Sequence, residues 1–416
     1  MSRILQWITE GERELQSIFA DLDQIALKNQ RKVLEAFRQL EVSDYHLQPA
    51  TGYGYGNIGR ETLDKLYARV FHTEAALVRG QFVSGTHAIG TALFAALRPG
   101  DRLLSVTGLP YDTMRQVIGI TGDAPGSLKD YAIDYEQVDL LESGQIDEAA
   151  LRSALKTPVK AVLIQRSRGY EWRSALSIPE IKRAIEIIRE EQAETVVIVD
   201  NCYGEFTESL EPTDVGADLM AGSLIKNPGG GIAPGGGYLV GKTQLIEAAA
   251  SRFAMPGLGL EMGSSFGDSQ RLMYQGFFLA PHTVVQSLKG MHLLAYVMEK
   301  LGFILSPHWS VKRNDIIQAI RFPESTALIE FCRAVQRVSP VDSHVILEPW
   351  DMPGYAHPVI MAAGAFIQGS SIELSADAPM REPYIAYLQG GLTHDHGKLG
   401  LYLALQELME TGFITL

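Results

Sequence analysis

The sequence has few cysteines and no long apolar run. Cys202 and Cys332 are the only cysteines among 416 residues, too few for a disulfide framework and without paired metal-ligand spacing. No segment has the roughly 18 consecutive apolar residues of a membrane-spanning helix. The first residues, MSRILQWITEGERELQ, carry acidic side chains where a signal peptide requires a basic end and then an apolar run. We therefore expect a cytoplasmic protein in which Cys202 is a small buried thiol.

Blocks of positive charge are also missing. The formal net charge is −13 and the isoelectric point is near 5.3, so nucleic acids and anionic membranes would be repelled. We expect neither as a partner. At 416 residues and 46% hydrophobic content, the chain can bury a large core and form two or three domains.

Short apolar segments alternate with helical patterns between about residues 51 and 290. The pattern predicts strands at 103–108, 161–165, 195–200 and 237–241, and helices at 86–97 and 178–192. Such an α/β pattern predicts a large domain with a mostly parallel sheet flanked by helices, which binds ligands at the carboxyl ends of its strands. Residues 1–50 form a predicted helical arm. Residues 291–416 form a predicted smaller α+β domain with strand-like HVILEP and SIELSA segments.

The segment GGYLVGKT, residues 236–243, matches the P-loop pattern G-x-x-x-x-G-K-[ST] and ends in Lys242 and Thr243. A P-loop needs a strand before its first glycine and a flexible run between the glycines. Here NPGGGIAPG precedes the motif, and its interior, GYLVG, is itself typical of a strand. We therefore reject a P-loop nucleotide-binding function.

A different lysine fits a ligand site. Asp200 ends the predicted strand TVVIVD, and Lys226 follows a second apolar run, DLMAGSLIK, 26 positions later. Because the carboxyl ends of parallel strands meet at one edge of a sheet, we expect this carboxylate and this amine to share one crevice.

Two further features belong to the same edge. Ser84, Gly85 and Thr86 open a predicted helix, where free N–H groups and the helix dipole favour an anion such as phosphate. Tyr111 follows the strand LLSVTG and can cover a planar ring. An amine, a carboxylate, an anion cradle and an aromatic cover are what pyridoxal 5'-phosphate (PLP) requires.

The segments SGTHA, PYDT, VDNCYGEF and GSLIKNPGGGIAPGGGYLVG resemble the methionine gamma-lyase-like family, also called aluminium-resistance proteins. This family belongs to the cystathionine and methionine branch of fold-type I PLP-dependent enzymes. The resemblance implies a seven-stranded sheet in the large domain and a smaller C-terminal domain. It also implies roles for cofactor-binding residues: Lys226 as the Schiff-base lysine, Asp200 on the pyridine nitrogen, Tyr111 over the ring, Gly85 and Thr86 on the phosphate, and Ser223 as a further hydroxyl.

The same resemblance implies a homodimer or homotetramer whose active sites lie at the subunit interface. A tyrosine of the neighbouring chain would reach the phosphate, and in the glycine-rich loop TGYGYGNIGR we assign this role to Tyr55. Arg60 of that loop is a weaker match to the arginine of the family pattern.

The substrate-binding arginine of the family is not found at its usual strand position, where SIELSA has Glu373. We expect Arg381 to bind the substrate carboxylate instead, with Arg168 and Arg166 as alternatives.

The resemblance predicts a PLP-dependent carbon–sulfur lyase acting on a sulfur-containing amino acid such as cystathionine or methionine. Other PLP-dependent amino-acid reactions, namely transfer or aldol cleavage, stay open, as does a PLP-binding protein without efficient turnover. His394 and His396 alternate like a metal pair, but the sequence shows no partner ligand, and we interpret them as solvated loop residues with no metal.

Overall fold

The computed structural model describes residues 3–123 and 125–414. Its helices are α1 Arg3–Glu14, α2 Gln16–Gln39, α3 Ile58–Val70, α4 Gly85–Ala96, α5 Asp112–Ile118, α6 Glu148–Ala154, α7 Ile178–Glu191, α8 Thr243–Ala254, α9 Ser269–Lys300, α10 Ser325–Arg337 and α11 His394–Glu410. Its strands are β1 Ala75–Arg79, β2 Arg102–Ser105, β3 Asp134–Gln137, β4 Ala161–Gln165, β5 Val196–Asp200, β6 Leu219–Ser223, β7 Gly237–Gly241, β8 Ile304–Ser306, β9 Ile317–Arg321, β10 Val359–Ala362, β11 Ser375–Pro379 and β12 Ile385–Gln389.

Seven strands form the large sheet, in the order β1-β7-β6-β5-β4-β2-β3. Strand β7 is antiparallel to both of its neighbours, and the other adjacent strands are parallel. The central strands β4 and β6 are buried along their whole length, because helices cover both faces of the sheet. This confirms the predicted fold-type I architecture with a mostly parallel seven-stranded sheet.

A second, antiparallel sheet has the strand order β10-β11-β12-β9-β8. It packs with α10, α11 and the C-terminal half of α9 around a separate apolar core. The predicted domain boundary at residue 290 falls within α9, a helix of 32 residues, so the division into three parts stays a prediction.

Several predicted elements lie where the sequence placed them, and two do not. The P-loop-like segment is the strand β7 followed by α8, as the inverted order indicated. HVILEP is not a strand: its Val345 and Ile346 are exposed, and only the neighbouring Trp350 makes an isolated bridge, to Val359. SIELSA enters a strand only at Ser375. No helix in the two described ranges is long and apolar enough to cross a membrane.

Candidate active site

A cavity of about 1350 Å³ opens at the carboxyl ends of β4, β5 and β6 and is lined by residues from both sheets. Six of the residues predicted from sequence border it: Ser84, Gly85, Thr86, Tyr111, Asp200 and Lys226. We call the side formed by Ser84, Gly85, Thr86, Asp200 and Lys226 the large-sheet wall. The opposite side, formed by Ser370, Ser375, Asp377 and Gln389, is called the small-sheet wall.

Strand ends place Asp200 and Lys226 in the large-sheet wall. Strands β5 and β6 are parallel neighbours with Asp200 in register with Ala221, and Lys226 follows three residues after β6. The chain turns sharply after β5, and Tyr203 has a left-handed backbone with φ +71°. The Lys226 Nζ lies 4.0 Å from the centroid of the Tyr203 ring. This cation–π contact holds the lysine side chain in place.

Burial and charge act in opposite directions on this pair. Burial favours the neutral amine of Lys226, but the acidic groups of Cys202, Tyr203, Asp200 and Glu205 outweigh it and raise the net pKa of the lysine. Burial raises the pKa of the Asp200 carboxyl, and Lys226 partly offsets this effect. A second cation beside Asp200, such as a protonated ring nitrogen, would further favour its ionised form.

The start of α4 forms the remainder of the large-sheet wall. Ser84 caps the helix, since its side chain accepts a hydrogen bond of 3.1 Å from the His87 N–H. The first N–H groups of a helix have no partner within it and attract anions. A Cβ on Gly85 would lie 3.3 Å from Ser223 Cβ and 3.5 Å from Cys202 Sγ, so the glycine allows close packing against the end of β6. Ser223 therefore supports the helix start without bordering the cavity.

Tyr111 lies between the two walls. Its backbone N–H donates to Gln165 Oε1 at 2.7 Å, and its hydroxyl oxygen is 2.7 Å from that of Tyr355. The ring packs edge-on against Tyr170, with centroids 5.4 Å apart. Burial raises the pKa of Tyr111 well above its ordinary value, so the hydroxyl keeps its proton at neutral pH.

Tyr55 does not border this cavity in its own chain. Its side chain is 61% exposed, and its hydroxyl contacts Met262 Sδ at 3.7 Å. Arg60 is buried and donates to the carbonyls of Gly54 at 2.7 Å and Gly263 at 3.1 Å. Arg60 thus holds the glycine-rich loop against the segment of the same chain that contains Gly263. The role of Tyr55 in an adjacent subunit stays a prediction.

The three arginines predicted to bind substrate do not border the cavity. Arg166 is fully buried and donates to protein acceptors, among them Asn201 Oδ1 and the Gly204 carbonyl, both at 2.9 Å. Arg168 donates to the Ser306 carbonyl at 2.7 Å. Arg381 makes one long hydrogen bond of 3.4 Å, to the Tyr170 carbonyl. Of the three guanidinium groups, that of Arg381 thus has the most N–H donors without an acceptor among the described residues. Which of the three arginines binds the substrate stays a prediction.

Glu373 does not occupy a strand position, contrary to the prediction for SIELSA. It is buried before β11, where its carboxylate accepts hydrogen bonds from the N–H groups of Phe366 at 2.9 Å and Ile367 at 3.0 Å. Both carboxylate oxygens serve the local loop, so Glu373 has a structural role.

The small-sheet wall was missed from sequence. Ser375 and Asp377 alternate along β11, and Gln389 of β12 is in register with Ser375, so their side chains share one face of the sheet. A predicted strand that continued to Pro379 would have shown this alternation. The Asp377 Oδ2 accepts hydrogen bonds from the Tyr170 hydroxyl at 3.0 Å and from Gln389 Nε2 at 3.1 Å.

We had expected the two histidines of THDHGK to be loop residues, but this expectation is wrong. They open α11, where Thr393 caps the helix through the His396 N–H. His394 packs against the Phe19 ring, and His396 Nε2 is 3.0 Å from the Val338 carbonyl oxygen. Among the residues described, no group of three or more histidine, cysteine, aspartate or glutamate side chains could hold a metal ion.

Comparisons with known proteins agree with this arrangement. The structure of a carbon-sulfur lyase involved in aluminum resistance from Clostridium novyi NT superposes with a TM-score of 0.93 at 53% identity, covering 98% of this chain and 96% of that one. The uncharacterized protein YnbB of Bacillus subtilis is 52% identical over 97% of this chain and 96% of its own length. The L-methionine gamma-lyase of Pseudomonas putida is 24% identical over 71% of this chain and 66% of its own.

Fold, family and site residues together imply PLP as the cofactor. The residues present fit it: Lys226 offers an amine, Asp200 a buried carboxylate, the start of α4 free N–H donors, and Tyr111 an aromatic ring, all at one cavity. The family model for methionine gamma-lyase matches residues 4–409. The chain therefore belongs to the methionine gamma-lyase family.

Proposed function

We propose that this protein is a PLP-dependent carbon–sulfur lyase acting on a sulfur-containing amino acid. The observation that carries the proposal is the meeting of Lys226, Asp200 and the start of α4 at one cavity. The lyase names of the relatives from Clostridium novyi and Pseudomonas putida support the reaction type, since the fold alone does not define it.

Each residue of the large-sheet wall has a role in this proposal. The N–H groups of Gly85 and Thr86 bind the cofactor phosphate, Asp200 holds a proton on the ring nitrogen, and Lys226 is the point of covalent attachment. When bound, PLP supplies an electron sink for the negative charge that develops at the substrate α-carbon.

Proton transfers fall to Lys226 and Tyr111. The Lys226 amine accepts the proton of the substrate α-carbon, and the Tyr111 hydroxyl donates a proton to the sulfur as the carbon–sulfur bond breaks. The electron pair of that bond leaves with the sulfur, so the sulfur product is a neutral thiol. The contact between the Tyr111 and Tyr355 hydroxyls, 2.7 Å between oxygens, provides a route for returning a proton to Tyr111.

We further propose that the active unit is a homodimer or homotetramer. Tyr53 and Tyr55 are 66% and 61% exposed, and this loop, held by Arg60, would reach the cavity of a neighbouring subunit. Sedimentation should show at least a dimer under assay conditions. A fully active monomer would contradict this part of the proposal.

The main test is the replacement of Lys226. Lys226→Ala should lower release of keto acid and thiol by about 1,000-fold or more, while the protein keeps its melting temperature. Borohydride reduction of the wild-type holoenzyme followed by peptide mapping should place the pyridoxyl group on Lys226. Lys242→Ala is the matched control, because Lys242 pairs with Asp218 at 2.7 Å outside the cavity. A label on Lys242 would overturn the assignment, and an amino-transfer or aldol product would overturn the reaction type.

A further inference from the structure

The amine of Lys226 contacts the face of one aromatic ring. Its Nζ lies 4.0 Å from the centroid of Tyr203, and among the described residues its side chain makes neither an ion pair nor a hydrogen bond. Burial raises the pKa of Tyr203 to about 12, so this ring is a neutral phenol at neutral pH. The contact is therefore between a cation and the negative face of a ring, and such contacts are strongest where water is excluded.

The turn after β5 presents Tyr203 to this lysine. Tyr203 and Phe206 both have left-handed backbones, with φ +71° and +62°, a conformation that is strained for residues other than glycine. Local hydrogen bonds hold the turn: the Cys202 N–H donates to Asp200 Oδ1 at 3.1 Å, and the Phe206 N–H donates to Glu211 Oε1 at 2.8 Å. The fold thus imposes the position of the Tyr203 ring, and backbone strain of this kind is typical of functional sites.

Arg166 completes the support of this turn. Its guanidinium donates to Asn201 Oδ1 and to the Gly204 carbonyl, both at 2.9 Å, and pairs with Glu211 at 3.4 Å. A Cβ at Gly204 would lie 2.6 Å from Arg166 Cδ, so only glycine leaves room for the arginine beneath the turn. This buried network fixes the chain on both sides of Tyr203.

Other titratable groups act on Lys226 through their charge. They come from the turn after β5 and from the small-sheet side of the cavity: Asp200, Cys202, Glu205, Tyr355 and Asp377. None of these carboxylates forms an ion pair with the lysine. Replacing any of them would change the net charge of the cavity, whereas replacing the ring of Tyr203 changes only the contact with Nζ.

We propose that the face of the Tyr203 ring stabilises positive charge on the Lys226 Nζ and so defines the pH range in which this amine removes the substrate α-proton. When the amine accepts that proton, its lone pair forms the new N–H bond and the electron pair of the carbon–hydrogen bond passes to the cofactor. The inference rests on the proposed function, in which Lys226 is both the point of attachment and the base. Tyr203 is a positioning residue that acts through Lys226 and transfers no proton itself.

Spectroscopic titration of the holoenzyme tests the charge effect without any turnover. The proton at Nζ changes the absorbance of the cofactor attached there, so the pH midpoint of that change measures how strongly the positive charge is stabilised. Tyr203→Leu should lower the midpoint by about one pH unit, whereas Tyr203→Phe, which keeps the ring face, should stay within about 0.3 unit of the wild type. Phe94→Leu is the matched control, because this ring borders the same cavity but contacts a different cation, the Arg252 guanidinium, with Cζ 4.3 Å from the ring centroid.

Ring-fluorinated phenylalanines at position 203 separate the charge of the ring face from packing. Fluorine withdraws electrons from the face and changes the shape of the ring little, so each added fluorine should lower the midpoint further. A midpoint that does not change with fluorination would overturn the inference. Equal midpoints for Tyr203→Leu and the wild type, with the borohydride label on Lys226, would overturn it and leave the proposed function intact.

Exchange of the α-proton of alanine in heavy water tests the pH range of the base. Alanine has this proton but no carbon–sulfur bond, so the exchange does not depend on lyase activity. The acid limb of its pH profile should lie about one unit lower in Tyr203→Leu than in the wild type, and Tyr203→Phe should restore it. A slower exchange at every pH without a shifted limb would mean a purely structural role for Tyr203 and overturn the inference. A shifted midpoint and limb without thiol release would support the inference and overturn only the lyase reaction.

Discussion

The two walls of the cavity are built in different ways. The large-sheet wall takes its groups from the ends of adjacent parallel strands and from one helix start, so backbone topology places Asp200, Lys226 and Gly85. The small-sheet wall takes Ser375 and Asp377 from one face of the antiparallel strand β11 and Gln389 from the end of β12, so these groups depend on which face of the sheet is turned to the cavity. Topology thus defines the first wall, and strand register defines the second.

Chemistry also divides between the walls. The large-sheet wall offers a cation, a carboxylate and helix N–H groups, the set that a phosphorylated pyridine cofactor requires. The small-sheet wall offers a carboxylate, hydroxyls and an amide from Ser370, Ser375, Asp377 and Gln389. We interpret the first wall as the cofactor side and the second as the substrate side, and variants on the two sides should fail in different ways.

The largest contrast is expected between the two cavity aspartates. Asp200→Asn should lower turnover of every thioether by about 100-fold or more, because the ring nitrogen loses the carboxylate that holds its proton. Asp377→Asn should have a smaller effect, about tenfold, because the asparagine oxygen can still accept the hydrogen bond from the Tyr170 hydroxyl. Steady-state kinetics with S-propyl cysteine and S-propyl homocysteine, together with the absorbance spectrum of the bound cofactor, measures both effects. Equal losses in the two variants would remove the distinction between the walls.

Sequence reasoning was effective where local signals coincide with topology. The apolar run ending in Asp200, the Ser-Gly-Thr helix start and the second run before Lys226 each indicate an element and its end, and parallel pairing then brings the ends together. The seven-stranded sheet and the family were identified on the same segments.

The small-sheet wall was missed because its signal is not local. SIELSA predicts a strand that ends at Ala376, whereas β11 runs from Ser375 to Pro379, so Asp377 lies outside the predicted strand. Glu373 accepts hydrogen bonds from loop N–H groups, whereas Asp377 borders the cavity. Distinguishing the two carboxylates requires the pairing of β11 with β12, which places Ser375 opposite Gln389. The contact of Tyr355 with Tyr111 joins residues 244 positions apart, which no spacing rule indicates.

A smaller effect is expected at the arginine that we assign to the substrate α-carboxylate. Arg381→Lys should lower kcat/KM by about 2 kcal/mol, or roughly 30-fold, for every thioether substrate, since lysine cannot make two parallel hydrogen bonds to a carboxylate.

Arg168→Lys and Arg166→Lys are the matched comparisons for Arg381, and both should act through stability, because these guanidinium groups bind protein acceptors. Melting temperatures measured beside the kinetics separate the two effects. An unchanged Arg381→Lys enzyme beside an inactive but folded Arg168→Lys enzyme would move the carboxylate site to the other side of the cavity.

The last effect is on stability and not on turnover, and it concerns Glu205, a buried carboxyl behind the large-sheet wall. One oxygen accepts a hydrogen bond of 2.8 Å from the Tyr238 hydroxyl, and the other has no partner among the described residues. Burial raises the pKa of Glu205 to about 8. The folded protein therefore holds a proton that the unfolded chain loses above its ordinary glutamate pKa, and the stability from this group falls as pH rises from about 4.5 to about 8.

Replacing Glu205 tests this pH dependence. Wild-type holoenzyme at fixed protein concentration should have a lower free energy of unfolding at pH 9 than at pH 6, by on the order of 2 kcal/mol. Glu205→Gln keeps the hydrogen bond to Tyr238 and cannot ionise, so it should lose this part of the decline and be the more stable protein at pH 9. Urea unfolding at the two pH values measures the difference. Glu171→Gln should follow the wild type, because this carboxylate pairs with Arg115 at 3.6 Å and does not border the cavity. Parallel pH profiles for wild type and Glu205→Gln would mean that Glu205 is ionised at neutral pH, held so by Lys226 on the same wall.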